Sequence, residues 1–290
     1  MKIHLVDATY ELFRHFFAVP SQKDVEGNEV AAVRGVLASV LVMLRDGATH
    51  IGVATDHVVE SFRNDLWAGY KTGAGIEPEL FAQFPMLEDA LAALGVVVWP
   101  MVEYEADDAL ASAAAIAAGY AEQVVICTPD KDLSQCVVGT HIVQLDRRAN
   151  TIRDEDGVIA RFGVAPASIP DYLALVGDSA DGFPGLSGWG AKSAAAILSK
   201  FRRIEDIPAD PADWGVTLRS VAALSATLEA NRDLALLFKD LATLRAALPI
   251  EASAEGLRWR GPRKDFGTVA AHLEAPGLAE FAAEVASTIR

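Results

Sequence analysis

Four short apolar segments rich in β-branched residues, IHLV (3–6), IGVAT (51–55), GVVVW (95–99) and VVICT (124–128), constrain the fold of this 290-residue chain more than any other feature. Between them lie stretches with helical apolar periodicity at 30–46, 79–94 and 106–118. The alternation predicts an α/β core, a parallel central sheet flanked by helices. HIVQL (141–145) is a fifth candidate strand, and this core is expected to fill residues 1–175. From about 176 the pattern changes to Gly-rich turns and helices, including 191–200 and the Ala/Leu-rich 217–247, which predicts a helical subdomain over 176–250.

With 51% hydrophobic residues the chain can bury an ample core without covalent staples. Cys127 and Cys136 lie nine positions apart with no CxxC pair and no nearby His, a pattern that indicates neither a disulfide framework nor zinc. That usage fits a reducing cytosol. The apolar run GVLASVLVML (35–44) falls short of the ~20 residues of a membrane span. A soluble cytoplasmic protein is expected.

A net charge of −15 argues at first against a nucleic-acid partner, because phosphate contacts come from Lys and Arg. The placement of the acids answers this. Ligands of open parallel sheets bind beyond the carboxyl ends of the strands. There Asp7 follows IHLV, Asp56 follows IGVAT, and Asp130 with Asp132 follows VVICT in PDKDL. YEADDALAS adds Glu105, Asp107 and Asp108 at a helix start, and GDSADG adds Asp178 and Asp181, three apart. Each alone reads as an ordinary helix N-terminal acid, favoured by capping and the dipole. Together, nine carboxylates on one sheet edge would repel unless a compensating charge is bound. Hard divalent cations with oxygen ligands supply it, and a site without His or Cys points to Mg²⁺ or Mn²⁺. Setting those nine aside leaves −6 for the rest of the chain.

In GLSGWGAKSA, Gly188 and Gly190 permit a tight turn, so that the N–H groups opening a helix at Ala191–Ser193 can meet a phosphate while Lys192 adds charge. Contacts of this kind grip duplex without reading sequence.

At these residues the chain resembles the 5′ nuclease family, which includes the 5′→3′ exonuclease domain of bacterial DNA polymerase I, stand-alone phage and bacterial 5′-3′ exonucleases and, more distantly, flap endonucleases. LVDATYELFRHFFA, VATDHVVESFRNDLWAGYKTG, YEADDALAS, TPDKDLSQ and GDSADGFPGLSGWGAKSAAAIL match its motifs in order, and the similarity continues through NRDLALLFKDLATLR into a closing helical tail at 251–290. The resemblance implies that Asp7, Asp56, Glu105, Asp107, Asp108, Asp130, Asp132, Asp178 and Asp181 are direct or water-mediated ligands of two or more ions. It also implies an arch at about 70–95 whose Lys71 is catalytic together with Asp7, Asp56 and Asp108. Arg14, Arg63, Tyr70, Gly188, Gly190, Lys192 and Ser193 are the implied DNA contacts, with K⁺ bound at the helix-hairpin-helix. The implied substrates are DNA with 5′ flaps, nicks or branches, and RNA primers. No polymerase sequence follows, so a free-standing nuclease is expected; nothing in the sequence indicates an oligomer, so a monomer is expected, with a polymerase as a conceivable partner.

The chain departs from the family pattern at three places. TGAGIEPELFAQF in the arch has no Lys or Arg, Gly182 stands where Asn usually follows the last acid, and Trp189 replaces a common aliphatic. Two other readings compete with a nuclease. A haloacid-dehalogenase-type phosphatase wants DxDx[TV] after the first strand, and DATYE lacks the second aspartate. A DNA-junction binding protein without catalysis would have little reason to keep mutually repelling acids.

Overall fold

The computed structural model describes residues 1–288. In chain order, β1 (Lys2–Asp7), α1 (Ala8–Ala18), α2 (Ala31–Arg45) and β2 (His50–Asp56) come first, then the short α3 (Phe62–Leu66) and α4 (Pro78–Phe81). Next are α5 (Gln83–Ala93), β3 (Val97–Met101), α6 (Ala106–Ala117), β4 (Gln123–Cys127), β5 (Ile142–Asp146) and β6 (Thr151–Arg153). Helices complete the described chain: α7 (Glu155–Phe162), α8 (Ile169–Val176), α9 (Ala191–Phe201), α10 (Val221–Ala230), α11 (Arg232–Ala242), α12 (Ala254–Leu257), α13 (Phe266–His272) and α14 (Gly277–Thr288). Among the described residues no helix is long and apolar enough to cross a membrane. Contacts divide the chain into two compact units.

Unit 1 contains Met1–Val59, Gly73–Thr128 and the chain from Ala246 onward. Its strands run in the order β3-β2-β1-β4, every neighbouring pair parallel. The register sets Asp7 beside Ala54 and Asp56 beside Met101, so both aspartates end their strands on the same edge. Because β2 and β3 extend the sheet on one side of β1 while β4 joins on the other, the chain reverses its winding between β1 and β4, the position where such sheets leave a crevice. Val33, Val36, Leu37, Val40, Leu41 and Leu44 of α2 are buried at helical spacing. Each of these larger aliphatics contributes about 1.5–3 kcal/mol by leaving water. The Ala-rich α6 packs against β1, β2 and β3, its small side chains allowing close approach.

The expected 79–94 helix divides at Ala82, and Pro85 sits in the first turn of α5, where its missing N–H costs nothing. β3 starts at Val97 rather than Gly95, because Gly95 takes a φ of +86° and its N–H closes the end of α5 on the Ala92 carbonyl. The C-terminal segment is tied down by two indoles: Trp99 Nε1 donates to the Glu251 carbonyl at 3.0 Å and Trp259 Nε1 to the Leu94 carbonyl at 2.8 Å.

Unit 2 contains Glu60–Thr72 and Pro129–Arg245. Its core gathers Leu173, Leu175, Phe183, Leu186, Trp189, Leu198, Trp214 and Phe238. Phe238 stacks on Phe183 with ring centroids 5.5 Å apart and meets Trp67 edge-on at 5.2 Å. The expected fifth strand is present as β5, and the short β6 pairs antiparallel with it. β6 is only three residues, TIR, and carries no apolar alternation by which it could be anticipated. The 217–247 stretch forms two helices, α10 and α11, interrupted at Asn231.

Candidate metal centre

In unit 1 Asp7, Glu105, Asp107 and Asp108 occupy helix starts, and Asp56 ends β2. Asp7 caps α1, its Oδ1 accepting the Tyr10 N–H at 2.8 Å, while its Oδ2 accepts the Thr128 hydroxyl at 3.0 Å. Thr128 follows β4, so this bond lies at the reversal of winding between β1 and β4. Asp56 Oδ1 accepts the Ala106 N–H at 2.7 Å, and its own N–H donates to Thr9 Oγ1 at 2.8 Å. Glu105, buried, is the N-cap of α6, and the buried Asp108 reaches back to accept the Glu105 N–H at 3.0 Å. Asp107 is partly exposed in the same first turn. The capping account of these acids is therefore correct as local structure. A cap leaves carboxylate lone pairs unspent, so it does not exclude a ligand role.

In unit 2 three carboxylates meet. Asp132, Asp178 and Asp181 each offer an oxygen within 4.8 Å of the others, and they are only 6%, 3% and 8% exposed. The PDKDL loop is held by its own bonds: the Asp132 N–H donates to Asp130 Oδ1 at 2.8 Å. Gln144, fully buried on β5, donates from Nε2 to the Asp130 carbonyl at 2.6 Å and accepts the Ser134 hydroxyl at 2.7 Å. The second loop closes on itself, with Asp178 and Phe183 exchanging backbone bonds of 2.8 and 3.0 Å. Gly182 within it has a φ of +81°, and a Cβ there would lie 2.0 Å from the Gly69 carbonyl oxygen. No side chain fits, which accounts for glycine where the family pattern has asparagine.

This cluster is short of positive charge. Burial, and then the charges of Asp130, Asp181 and Asp178, push the Asp132 carboxyl well above the ordinary carboxylate range, and Lys131 offsets only part of that. Asp132 Oδ1 is buried with no hydrogen-bond partner. Two lysines approach the other two acids: Lys131 Nζ lies 2.5 Å from Asp178 Oδ2, and Lys71 Nζ lies 3.2 Å from Asp181 Oδ1. Lys71 is pinned from both sides of its backbone, its N–H donating to the Asp181 carbonyl at 3.0 Å and its carbonyl accepting Asn64 Nδ2 at 3.0 Å. An all-oxygen donor set with an unpartnered buried carboxylate oxygen fits a hard divalent cation.

The implied DNA contacts divide sharply. Lys192 is exposed at the start of α9, and Gly188 has a φ of +81°, as a tight turn before that helix requires. Gly190 is extended, with open space where a Cβ would stand. The Ser193 hydroxyl is bonded to the turn itself, accepting the Gly190 N–H at 3.0 Å and donating to the Gly190 carbonyl at 2.9 Å. Arg14 is half-buried and paired with the buried Glu11, 3.0 Å from His15 Nε2.

Two expectations are corrected. Arg63 is 1% exposed, donating from Nε to the Leu241 carbonyl at 2.8 Å and from Nη2 to the Thr243 carbonyl at 3.2 Å. It ties α3 to the end of α11 and has no surface to offer DNA. Tyr70 packs in the core of unit 2, where its ring lies under the Lys71 ammonium at 5.7 Å. Sequence reasoning missed Gln144 and the role of Lys131. A glutamine inside the apolar HIVQL and a lysine between two aspartates were the available signals.

Comparison with known proteins places residues 2–163 in the family described as 5′-3′ exonuclease, N-terminal resolvase-like domain, and 164–265 in 5′-3′ exonuclease, C-terminal SAM fold. The chain is 30% identical to DNA polymerase I of Bacillus caldotenax over 285 residues, covering 97% of this chain but 32% of that protein. It thus spans about a third of the length of the polymerases it matches. With the 5′-3′ exonuclease of Aquifex aeolicus it shares 31% identity over 262 residues, covering 90% of this chain and 87% of that one. Among solved structures, the T5 D15 protein co-crystallised with metal ions superposes with a TM-score of 0.69 at 14% identity, covering 99% of each chain. The catalytic core of Rad2 in complex with DNA substrate gives 0.63 at 15% identity, covering 98% of this chain and 92% of that one. At such identities the likeness is one of fold.

Proposed function

This chain belongs to the 5′-3′ exonuclease family, and from that premise we propose that it hydrolyses phosphodiester bonds of DNA at 5′ ends, flaps and nicks, dependent on Mg²⁺ or Mn²⁺. The observation that carries the reading is the cluster of Asp132, Asp178 and Asp181, buried, mutually repelling and with one carboxylate oxygen unpartnered. Such a cluster costs stability unless it holds a cation. In unit 2 these three with Asp130 are the proposed ligands, and in unit 1 Asp7, Asp56, Glu105, Asp107 and Asp108, each direct or through water. Two bound divalent ions supply an activated water and stabilisation of the leaving oxygen in such hydrolysis.

The chain's own groups do the rest. The caps on α1 and α6 and the Gln144 bond to the Asp130 carbonyl fix the carboxylates before substrate arrives, which limits reorganisation. Lys71, held by backbone bonds on both sides, presents an ammonium whose stem can follow a phosphate. Charge grows on the phosphate during hydrolysis, so that ammonium favours the transition state over bound substrate. At the Gly188–Gly190 turn, Lys192 and the first N–H groups of α9 grip the duplex backbone, and K⁺ is the proposed occupant of that hairpin.

A 5′-labelled flap or nicked duplex incubated with and without Mg²⁺, beside a phosphomonoester control, tests this. Metal-dependent release of 5′ products from DNA supports it. Hydrolysis of the monoester alone, or binding of the junction without cleavage, refutes it.

A further inference from the structure

The aspartates of unit 2 already meet a cation of the chain itself. Lys131 stands between Asp130 and Asp132 in sequence, and its Nζ is 2.5 Å from Asp178 Oδ2. Asp178 is 3% exposed while the Lys131 side chain keeps 30% of its surface, so the contact is only partly screened by water and salt. The lysine meets one acid of the cluster directly and stands between two more in the chain, while Asp132 Oδ1 stays buried without a hydrogen-bond partner.

We propose that Lys131 is the resident counter-cation of this cluster, competing with a divalent ion for Asp178 and so setting the affinity of the site, while it stabilises the metal-free protein. The inference rests on the reading of the cluster as a metal site. Asp178 cannot give the same oxygen fully to an ammonium and a dication, so each Mg²⁺ that binds must displace or share that contact. Loss of the lysine therefore removes both a competitor and a stabiliser.

The test is titration of Mg²⁺ and Mn²⁺ into the 290-residue chain by calorimetry, with melting curves at each metal concentration, for wild type, Lys131→Met, Lys131→Gln and Lys131→Arg. The Met and Gln variants should bind metal about five- to tenfold tighter, as expected for deleting one partly screened charge. They should melt lower than wild type without metal and show a larger metal-induced rise. Lys131→Arg should stay near wild type. On an Asp178→Asn background, Lys131→Met should no longer tighten binding, since the contested oxygen is gone. If Lys131→Met is unfolded without metal, its recovery on Mg²⁺ addition supplies the same comparison through the linked melting shift. Unchanged or weaker affinity in both the Met and Gln variants overturns the proposal. Failure of wild type to bind either ion is a distinct result, and refutes the metal reading itself.

Discussion

Replacing Asp132 by asparagine should stabilise the metal-free protein and abolish cleavage together. Asp132 is 6% exposed, its Oδ1 has no partner, and oxygens of Asp178 and Asp181 lie within 4.8 Å of one of its own. Two unit charges at 4.8 Å repel by about 3.5 kcal/mol at an effective dielectric constant of about 20. Lys131 and Lys71 offset part of that repulsion, and the amide that Asp132→Asn introduces would donate to a neighbouring carboxylate. A net gain of about 1–2 kcal/mol is therefore expected, or about 2–8 °C in melting temperature. The sign of the pH dependence follows. A carboxyl whose folded pKa is raised above its ordinary 3.8 contributes stability that is complete below that value and is lost as pH rises through the folded pKa. Metal-free wild type and Asp132→Asn should thus be close in stability near pH 4 and diverge, the variant ahead, as pH rises toward neutrality. Melting curves across that range in chelator, then with Mg²⁺, decide the matter. A variant that melts below wild type at neutral pH without metal, or that keeps the full metal-induced rise, would show that the acids do not repel as argued.

Other perturbations test separate parts of the molecule. Arg63→Ala removes a buried guanidinium from two carbonyls and should cost about 3–5 kcal/mol in denaturant melts, with Arg63→Lys recovering little because an ammonium lacks the planar fork. DNA affinity of the still-folded variant should match wild type; a selective loss would restore Arg63 as a DNA contact. Gly182→Ala places a Cβ 2.0 Å from the Gly69 carbonyl at a φ of +81°, so the loop must shift at a cost of about 2–4 kcal/mol and kcat should fall with it. Normal melting and turnover would mean that the approach of Gly69 and Gly182 is looser than described. Lys71→Ala should lower kcat and kcat/KM together by about 10²-fold, whereas Lys192→Ala should chiefly raise KM. Single-turnover cleavage across substrate concentration separates them, and an effect of Lys71→Ala on KM alone would make that lysine a binding residue.

The parallel strands were legible because β1, β2 and β4 are continuous apolar runs buried on both faces, a pattern that survives any tertiary context. The acids were legible for a related reason: a charge placed directly after such a run has few places to go except the strand's carboxyl end. β6 was not, since TIR has neither length nor alternation and exists only because β5 offers it a partner. Arg63 and Tyr70 failed differently. Both stand in a segment, SFRNDLWAGYKTG, whose polarity reads as surface, yet Arg63 is covered by the chain at Leu241 and Thr243, more than a hundred positions away, and Tyr70 packs in the core of unit 2.

Sequence alone determined the α/β class, the acidic character of the strand ends and the order of the motifs, because periodicity and strand-end placement are local properties of the chain. Which acids lie against which cations was decided only by the tertiary structure. Lys71 is 110 positions before Asp181 in the numbering, and it reaches that carboxylate because Trp67 Nε1 bonds the Gly182 carbonyl at 3.1 Å and the Lys71 N–H bonds the Asp181 carbonyl at 3.0 Å. Those contacts need a glycine that admits the close approach at Gly69, and a core of Phe183, Phe238 and Trp67 to hold the two segments together. A pairing of that kind depends on packing summed over many residues, and no spacing within either motif encodes it.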